Sequence, residues 1–476
     1  MHGRFAAVVA GAVAAALQGA PPSRTRATAR RFEGAADAPW TARRARPFAS
    51  VAVGAAKDPG AAIDAAAAID AAAAAQPIPG EVYLLLLAQL ALFVGVGAVV
   101  TTIPLYGQAI GLSGVSNGVV IAAPAVALVL LAPFAATFAD VARKPAMLGG
   151  MAVIAIADVG TACAGSFASL ILARVLLGAG RCISETGERA MLADVAARAP
   201  ARRGSIVAAQ QAAAALGIAL GAPLGGVVVD HYGARAAFLC VSAAACVTLF
   251  LYSLLPETVT AETVAAAPPT PTTSTMSIFK PEWAALLEDK RWRALAIAEC
   301  TSRCGFAAKV AVIPVLAATT LGSATAAGQL LSAAAIAGLF AAPLGGLLAD
   351  RIGAKTVAAF AGTVSGVALL LVPVALSQTE GRGAWFTAAV MLWSAGAAAQ
   401  GPALSTLAQQ LAPKGAEATA LALPRACGDA AYIFAPLLLG AIADAAPVAG
   451  ANVACAGAVA LLGAGTIRLV PFGETR

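Results

Sequence analysis

Residues Gly345 to Lys355 read Gly-Gly-Leu-Leu-Ala-Asp-Arg-Ile-Gly-Ala-Lys, a short charged stretch between two long apolar ones. More than twenty apolar residues lead into Gly346, and a second such run begins just after Lys355. Runs of that length are membrane-spanning helices, so the charges occupy a tight hairpin at a bilayer surface. A related stretch occurs earlier, where Phe138, Ala139 and Asp140 are followed by Arg143 and Lys144. Asp140 and Asp350 lie 210 residues apart, and Ala222-Pro223-Leu224 recurs as Ala435-Pro436-Leu437 at an offset of 213. Two landmarks at nearly one offset imply an internal duplication, as in membrane proteins built from two parallel repeats.

The pattern Gly346, Leu348, Ala349, Asp350, Arg351, Gly353, Lys355 resembles the signature loop of the major facilitator superfamily of solute transporters, which occurs once in each six-helix half. The earlier copy departs from it: Ala136 stands where the first glycine belongs, and the loop is one residue short. The resemblance covers Val82 to Val470. It implies an all-α integral membrane fold of twelve transmembrane helices in two pseudo-symmetric halves, acting by alternating access.

Composition agrees. The 476-residue chain is 60% hydrophobic with 12% charged residues, and its mean hydropathy is +0.83. These values exclude a soluble globular protein. Alanine and glycine supply much of the apolar character, which lets helices approach closely. The net charge of +7 is shared between an arginine-rich N-terminal stretch and the loops between apolar runs, and no nucleic-acid partner is implied. The eight cysteines form no CxxC pair, and Cys300 and Cys304, four apart in an apolar helix, suit neither a disulfide nor a metal. His2 and His231 are the only histidines. No nucleophile, histidine and acid set is available for an enzyme, no glycine loop cradles phosphate, and no cofactor is called for.

In chain order, residues 1–80 read as an address and a linker. Phe5 to Ala20 is an apolar signal core behind Arg4, and Pro21 to Lys57 carries seven arginines against Glu33 and Asp37. This two-part pattern fits a plastid address, with a mitochondrial or secretory one as alternatives. Ala55 to Gly80, with its repeated Ala-Ala-Ile-Asp, is low-complexity linker. The N-terminal half is expected over 81–256, with helices near 82–104, 115–138, 146–165, 167–187, 204–228 and 235–255. An inter-half loop follows over 257–291, rich in Pro and Thr from Thr263 to Thr275. The C-terminal half and a short tail occupy 292–476, with helices near 292–317, 325–348, 355–376, 384–406, 417–441 and 448–470. Under this count Arg143, Lys144, Arg198, Arg202, Arg203, Lys280, Lys290, Arg291, Arg293, Arg351, Lys355 and Lys414 share one face, with Arg235 and Arg382 opposite. That asymmetry places the signature loops and both termini on the cytoplasm-equivalent side.

Helix four carries the richest chemistry. Arg174, Gly178, Arg181, Glu185 and Glu188 recur at spacings of four, three, four and three, so they share one helix face. A charge at bilayer depth costs about 2.5–3.5 kcal/mol even on permissive scales, so this stripe faces a cavity or a neighbouring helix. Arg174 and Arg181 can present positive charge to a solute, with Glu185 exchanging a proton; a plain Arg181–Glu185 bridge along the helix is the alternative. Arg174 to Gly180 also resembles the family's helix-four motif, whose arginine is implicated in proton coupling. Gln210 and Gln211 are polar candidates to line the pathway or to bond between helices. Gly217, Gly221, Gly225 and Gly226 around Pro223 read as helix-packing positions. They resemble the family's helix-five antiporter motif, with the proline one residue late.

In the second half, Glu299 and Arg303 on helix seven and Arg425 and Asp429 on helix eleven are each four apart, and Lys309 lies further along helix seven. They are candidates for the solute and proton pathway or for self-neutralising bridges. The resemblance puts helices one, four, seven and ten around the cavity. Helix one offers no acid between Val82 and Gly107, unlike typical cationic-drug antiporters of the family. Asp140, Arg143, Lys144, Gly346, Asp350, Arg351, Gly353 and Lys355 are assigned to gating.

The sequence therefore predicts a monomeric secondary transporter in a lipid bilayer, moving a small organic anion or zwitterion with protons. Efflux of hydrophobic compounds is the runner-up, and a non-transporting receptor or assembly factor the third reading.

Overall fold

A computed structural model describes residues 78–199, 202–259, 281–413, 417–446 and 448–472. The targeting segment, the Pro/Thr-rich part of the inter-half loop, Lys280 and Lys414 lie outside the described residues. Among the described residues the secondary structure is helical, without strands.

The helices are α1 (Gly80–Ala109), α2 (Gly114–Val141), α3 (Arg143–Cys163) and α4 (Phe167–Ala197). Next comes one run, Arg203–Ser253, then α7 (Lys290–Ala311 continued by Ile313–Leu321), α8 (Ala324–Ile352), α9 (Ala354–Ser377), α10 (Arg382–Leu411), α11 (Glu417–Ala445) and α12 (Ala451–Leu469). The run Arg203–Ser253 has 51 residues, about 76 Å of helix and more than twice a bilayer's apolar thickness. It breaks at Gly233, whose φ of 81° and ψ of 165° only glycine adopts readily. The two limbs, 203–232 and 234–253, are α5 and α6. Span seven, expected as one helix, is Lys290–Ala311 and Ile313–Leu321 bent by 42°; Pro314 in the first turn of the second limb cannot donate to the ladder. A short helix, Pro281–Glu288, precedes it.

Nine of these helices are long and apolar enough to cross a membrane, or ten with the bent pair. Dividing Arg203–Ser253 at Gly233 and adding the 30-residue α10 brings the order to twelve. Large apolar side chains such as Leu130, Phe134, Leu172, Phe250, Phe340, Phe360 and Leu462 point outward, as lipid-facing residues must.

The two signature-loop copies differ in backbone. Gly353 turns between α8 and α9 at φ 94°, a conformation that explains the glycine of that motif. Between α2 and α3 the turn is the single extended residue Ala142, which is why that copy manages with fewer residues and without glycine.

The described residues form two compact units. The smaller comprises 78–83 and Leu192–Gln211, where Arg198 donates to Glu81 at 2.8 Å. Within the larger one, the halves meet at the end distal to the signature loops through a pair of symmetry-related joints. Asp444, at the end of α11, accepts from the Gly114 and Val115 amides of α2 at 2.7 and 3.0 Å. Asp230, at the end of α5, accepts from the Ala324 and Thr325 amides of α8 at 3.0 and 2.8 Å, and from the Thr325 hydroxyl at 2.6 Å. Each receiving helix also has its own serine cap, Ser113 bonding Ser116 and Ser323 bonding Ala326. Small residues let the backbones meet there: a Cβ on Gly118 would strike the Pro436 carbonyl, and one on Gly328 the Ala222 carbonyl.

A side-chain cap on a helix start contributes about 1 kcal/mol. Replacing both aspartates (Asp230→Ala with Asp444→Ala) should therefore loosen the distal end by about 2 kcal/mol. In a background without native cysteines, Ala327→Cys, fully buried in this interface, should react with maleimide tenfold faster or more, on the order expected from that energy. An unchanged rate would mean that the caps do not hold this end shut.

Candidate functional site

The α3–α4 contact sets the frame for the charges. A Cβ on Gly150 would lie 2.5 Å from the Ser184 amide and 2.6 Å from the Gly180 carbonyl, so only glycine permits this approach. On the other side of α4, a Cβ on Gly178 would overlap the Pro124 carbonyl of α2. With α4 pinned on two sides, its charged face is fixed.

On that face Arg181 donates from Nε and Nη2 to Glu185 Oε1 at 2.9 and 2.7 Å, and Arg189 Nη2 donates to Glu185 Oε2 at 3.0 Å. One carboxylate is thus held by two guanidinium groups. Glu188, a turn further, is buried; the Gln89 amide of α1 donates to it at 2.5 and 3.2 Å with its nitrogen turned to the carboxylate, and the buried Tyr252 of α6 lies within its electrostatic range. Arg174 is buried with no hydrogen-bond partner for Nε or Nη1.

The second cluster joins α7 to α11. Arg303 reaches Asp429 at 3.5 Å and Arg425 reaches the same carboxylate at 3.9 Å. The bridge between Glu299 and Arg303 along α7, weighed above, is not among the ion pairs: Arg303 turns across to α11 instead. Gly428 gives it room, since a Cβ there would stand 3.1 Å from Arg303 Cγ. Glu299 is half-buried and within electrostatic reach of Arg303, Asp429 and Arg425. The two clusters face each other: Glu185 feels Arg425, and Tyr432 of α11 feels Arg181 and Arg174. Phe306 packs on Tyr432 with ring centroids 5.6 Å apart. Lys309 is half-buried at the end of the first α7 limb, outside both ion-pair clusters. Gln210 is half-buried and Gln211 exposed, both in the smaller unit.

Among the gating candidates, Asp140 pairs with Arg143 at 3.0 Å, and Lys144 donates to the Ser253 carbonyl at 2.8 Å while its amide meets Glu257 at 3.0 Å. Asp350, Arg351 and Gly353 are exposed and Lys355 half-exposed, with no ion pair within 4.0 Å among the described residues. Gly346 has only Pro402 of α10 beside it. Of the packing candidates, Gly217 lies on Phe93, Gly221 on Val94 and Gly225 on Ala98, all along α1, while Gly226 meets Ala324 and Pro223 meets Gly328 of α8. A cavity of about 420 Å³ opens beside Asp444 at the distal end, lined by Gln108, Asn117, Val312 and Asn452 among others, and none of the pathway candidates lines it.

Among the residues that escaped the sequence reading are Gln89, Tyr432 and Asp158. Asp158 left a signal, because it is the lone charge between Lys144 and Arg174. The other two have residue types that carry no signal at membrane depth.

A model of the Major Facilitator Superfamily matches residues 85–308 and 295–474. The quinolone resistance protein NorA of Staphylococcus aureus is 28% identical over 116 residues, 24% of this chain and 30% of that protein, so the alignment spans less than a third of the relative's length. Among solved structures, the nucleoside transporter NupG superposes with TM-score 0.65 at 14% identity over 82% of this chain and 97% of that one. A D-xylose-proton symporter does so with 0.64 at 16% over 83% and 99%. A bacterial homologue of the iron transporter ferroportin, in an inward-facing state, reaches 0.63 at 16% over 83% and 99%. At these identities the likeness is one of fold.

Arg181→Gln should destabilise the protein by about 1–2 kcal/mol, because half-buried Glu185 loses two charge-assisted bonds. Adding Glu185→Gln should recover part of that loss. Thermal unfolding in detergent over the double-mutant cycle measures it; additive losses would mean that the pair is not coupled.

Proposed function

The chain belongs to the Major Facilitator Superfamily, and on that premise we propose that it is a proton-coupled secondary transporter of a small organic anion or zwitterion. It is a multi-pass membrane protein of twelve helices that carries a small molecule across a bilayer; solute class, coupling ion and monomeric state belong to the proposal. The observation that carries it is the excess of guanidinium groups over the carboxylates they touch. Glu185 is shared by Arg181 and Arg189, and Asp429 by Arg303 and Arg425. Two planar donor forks on one carboxylate leave donors to spare, and those donors match a carboxylate or phosphate.

Where the halves bond supports a reading of alternating access. Five hydrogen bonds from Asp230 and Asp444 join them at the distal end. The second signature loop, with Asp350, Arg351 and Lys355, makes no ion pair among the described residues. An arrangement joined at one end and unlatched at the other is one of the two states that a rocking carrier needs. The earlier loop, with Asp140 paired to Arg143, serves the same gate in its half.

A second reading, export of apolar compounds, draws on the local similarity to NorA over 116 residues. The absence of an acid on α1 between Val82 and Gly107 speaks against a cationic drug as cargo. A non-transporting receptor or assembly factor is the third. Uptake of labelled carboxylates, amino-acid zwitterions and a lipophilic dye into proteoliposomes, with and without a pH gradient, separates them. We expect carboxylate or zwitterion flux that the gradient accelerates. Dye flux alone would favour export of apolar compounds. No flux, with function retained after neutralising Arg181, Arg303 and Arg425 together, would favour the third reading.

We further propose a plastid membrane as the location, from the arginine-rich leader between Pro21 and Lys57. A fluorescent protein fused behind residues 1–80 should enter plastids of an alga; a cytosolic or mitochondrial signal would overturn this.

A further inference from the structure

Asp158 and Arg174 are a pair of opposite charges, each with side-chain atoms that find no hydrogen-bond partner among the described residues. Asp158, on α3, is 1% exposed and its Oδ1 has no hydrogen-bond partner. Arg174, on α4, is 6% exposed and its Nε and Nη1 have none. The Gly150 and Gly180 crossing brings the two helices together antiparallel, and Asp158 and Arg174 follow about two turns along, on the distal side. Each is the leading opposite charge acting on the other, yet they form no ion pair within 4.0 Å. Arg181 also acts on both, and Tyr432 of α11 reaches Arg174 from the other half.

Burying either charge alone costs several kcal/mol in a membrane interior. Two opposite charges in mutual reach, buried and unbridged, mark a place where further components bind. Arginine stays protonated, so Asp158 is the member whose charge can change. The other elements packed on α3 bring no charge that would do this work. α2 has none from Gly114 to Ala139, and α6 has none after Arg235. Of the remaining titratable groups, Tyr106 donates to the Ala164 carbonyl, Tyr252 is buried on α6 with its hydroxyl unpartnered and Glu188 as the leading charge acting on it, and Cys163, Cys240 and Cys246 are exposed.

We propose that Asp158 binds the coupling proton and Arg174 the anionic group of the solute, as one cooperative pair. This rests on the transport reading above and gives it a direction of coupling. A proton on Asp158 removes the negative charge that offsets Arg174, so the guanidinium receives a carboxylate or phosphate more tightly. By reciprocity the bound anion strengthens proton binding at Asp158. Proton and anion therefore bind together and travel in the same direction, as in symport. Glu185, already held by Arg181 and Arg189, is the poorer proton carrier. On this account Asp158 supplies, from α3, the acid that α1 lacks between Val82 and Gly107.

Infrared difference spectra of the purified full-length protein in lipid, between acid and alkaline media, report carboxyl protonation without any solute. We expect a protonated-carboxyl band that vanishes in Asp158→Asn, shifts in frequency in Asp158→Glu and persists in Glu185→Gln. A band untouched by both Asp158 variants overturns the proposal. In the same vesicles, uptake of labelled mono- and dicarboxylates driven by a proton gradient should fall about tenfold or more in Asp158→Asn, with recovery in Asp158→Glu. Gradient-driven uptake that survives Asp158→Asn also overturns it. If Asp158→Asn does not fold, the band shift and uptake of Asp158→Glu decide alone. Wild-type vesicles that take up no carboxylate overturn the solute reading, and the infrared result then judges the proton site by itself.

Discussion

The interaction on which the rest of this structure depends is a carboxylate at the end of one helix capping the start of a helix from the other half. A helix start leaves amide donors without partners, and at a membrane boundary water satisfies them only while the surface stays open. Asp230 and Asp444 satisfy them from across the interface, so the exposed amides of α2 and α8 become the means of joining the halves. The positive end of each receiving helix adds to the attraction. Such bonds are directional and few. They hold the halves in one orientation, beside the close backbone contacts of α2 with α11 and of α5 with α8.

The glycine and alanine content of the chain serves the same end. Where Gly118 meets Pro436 and Gly328 meets Ala222, main chains touch directly. Smooth surfaces of this kind separate and rejoin without interlocked side chains having to change rotamer. The same economy operates inside a half. Gly217, Gly221 and Gly225 lay α5 along α1, and Gly150 and Gly180 lay α3 along α4, so each half keeps its internal geometry while the interface between halves changes.

Much of this was legible in the sequence, for identifiable reasons. Apolar runs bounded by charged turns mark spans because the bilayer imposes one length on each. The duplication showed as offsets of 210 and 213, and the caps repeat it: Ser113 and Ser323 lie 210 apart, Asp230 and Asp444 214 apart. The caps themselves were invisible, since a polar residue at a span's end reads as an ordinary surface residue until its partner across the interface is known. Spacing of four suggested a bridge between Glu299 and Arg303, but spacing describes one helix only. Gly428, on another helix, opens the path that draws Arg303 to Asp429. Asp158 illustrates the opposite failure. Its rarity was plain, but its meaning required Arg174 beside it, and the two belong to different spans.

The placement of charge and the placement of caps are physically linked. Opening the distal end would admit water over the buried side chains of α3 and α4, lowering the cost of an ionised Asp158 and an unbridged Arg174. On the proposal that Asp158 takes a proton and Arg174 an anion, closing it restores that cost unless both accompany them. An empty, fully ionised site thus resists closure, and a loaded, neutralised one permits it. Coupling then needs no separate signal between site and gate: the desolvation of two charges is part of the free energy of closing, and five hydrogen bonds are enough to set where that balance falls.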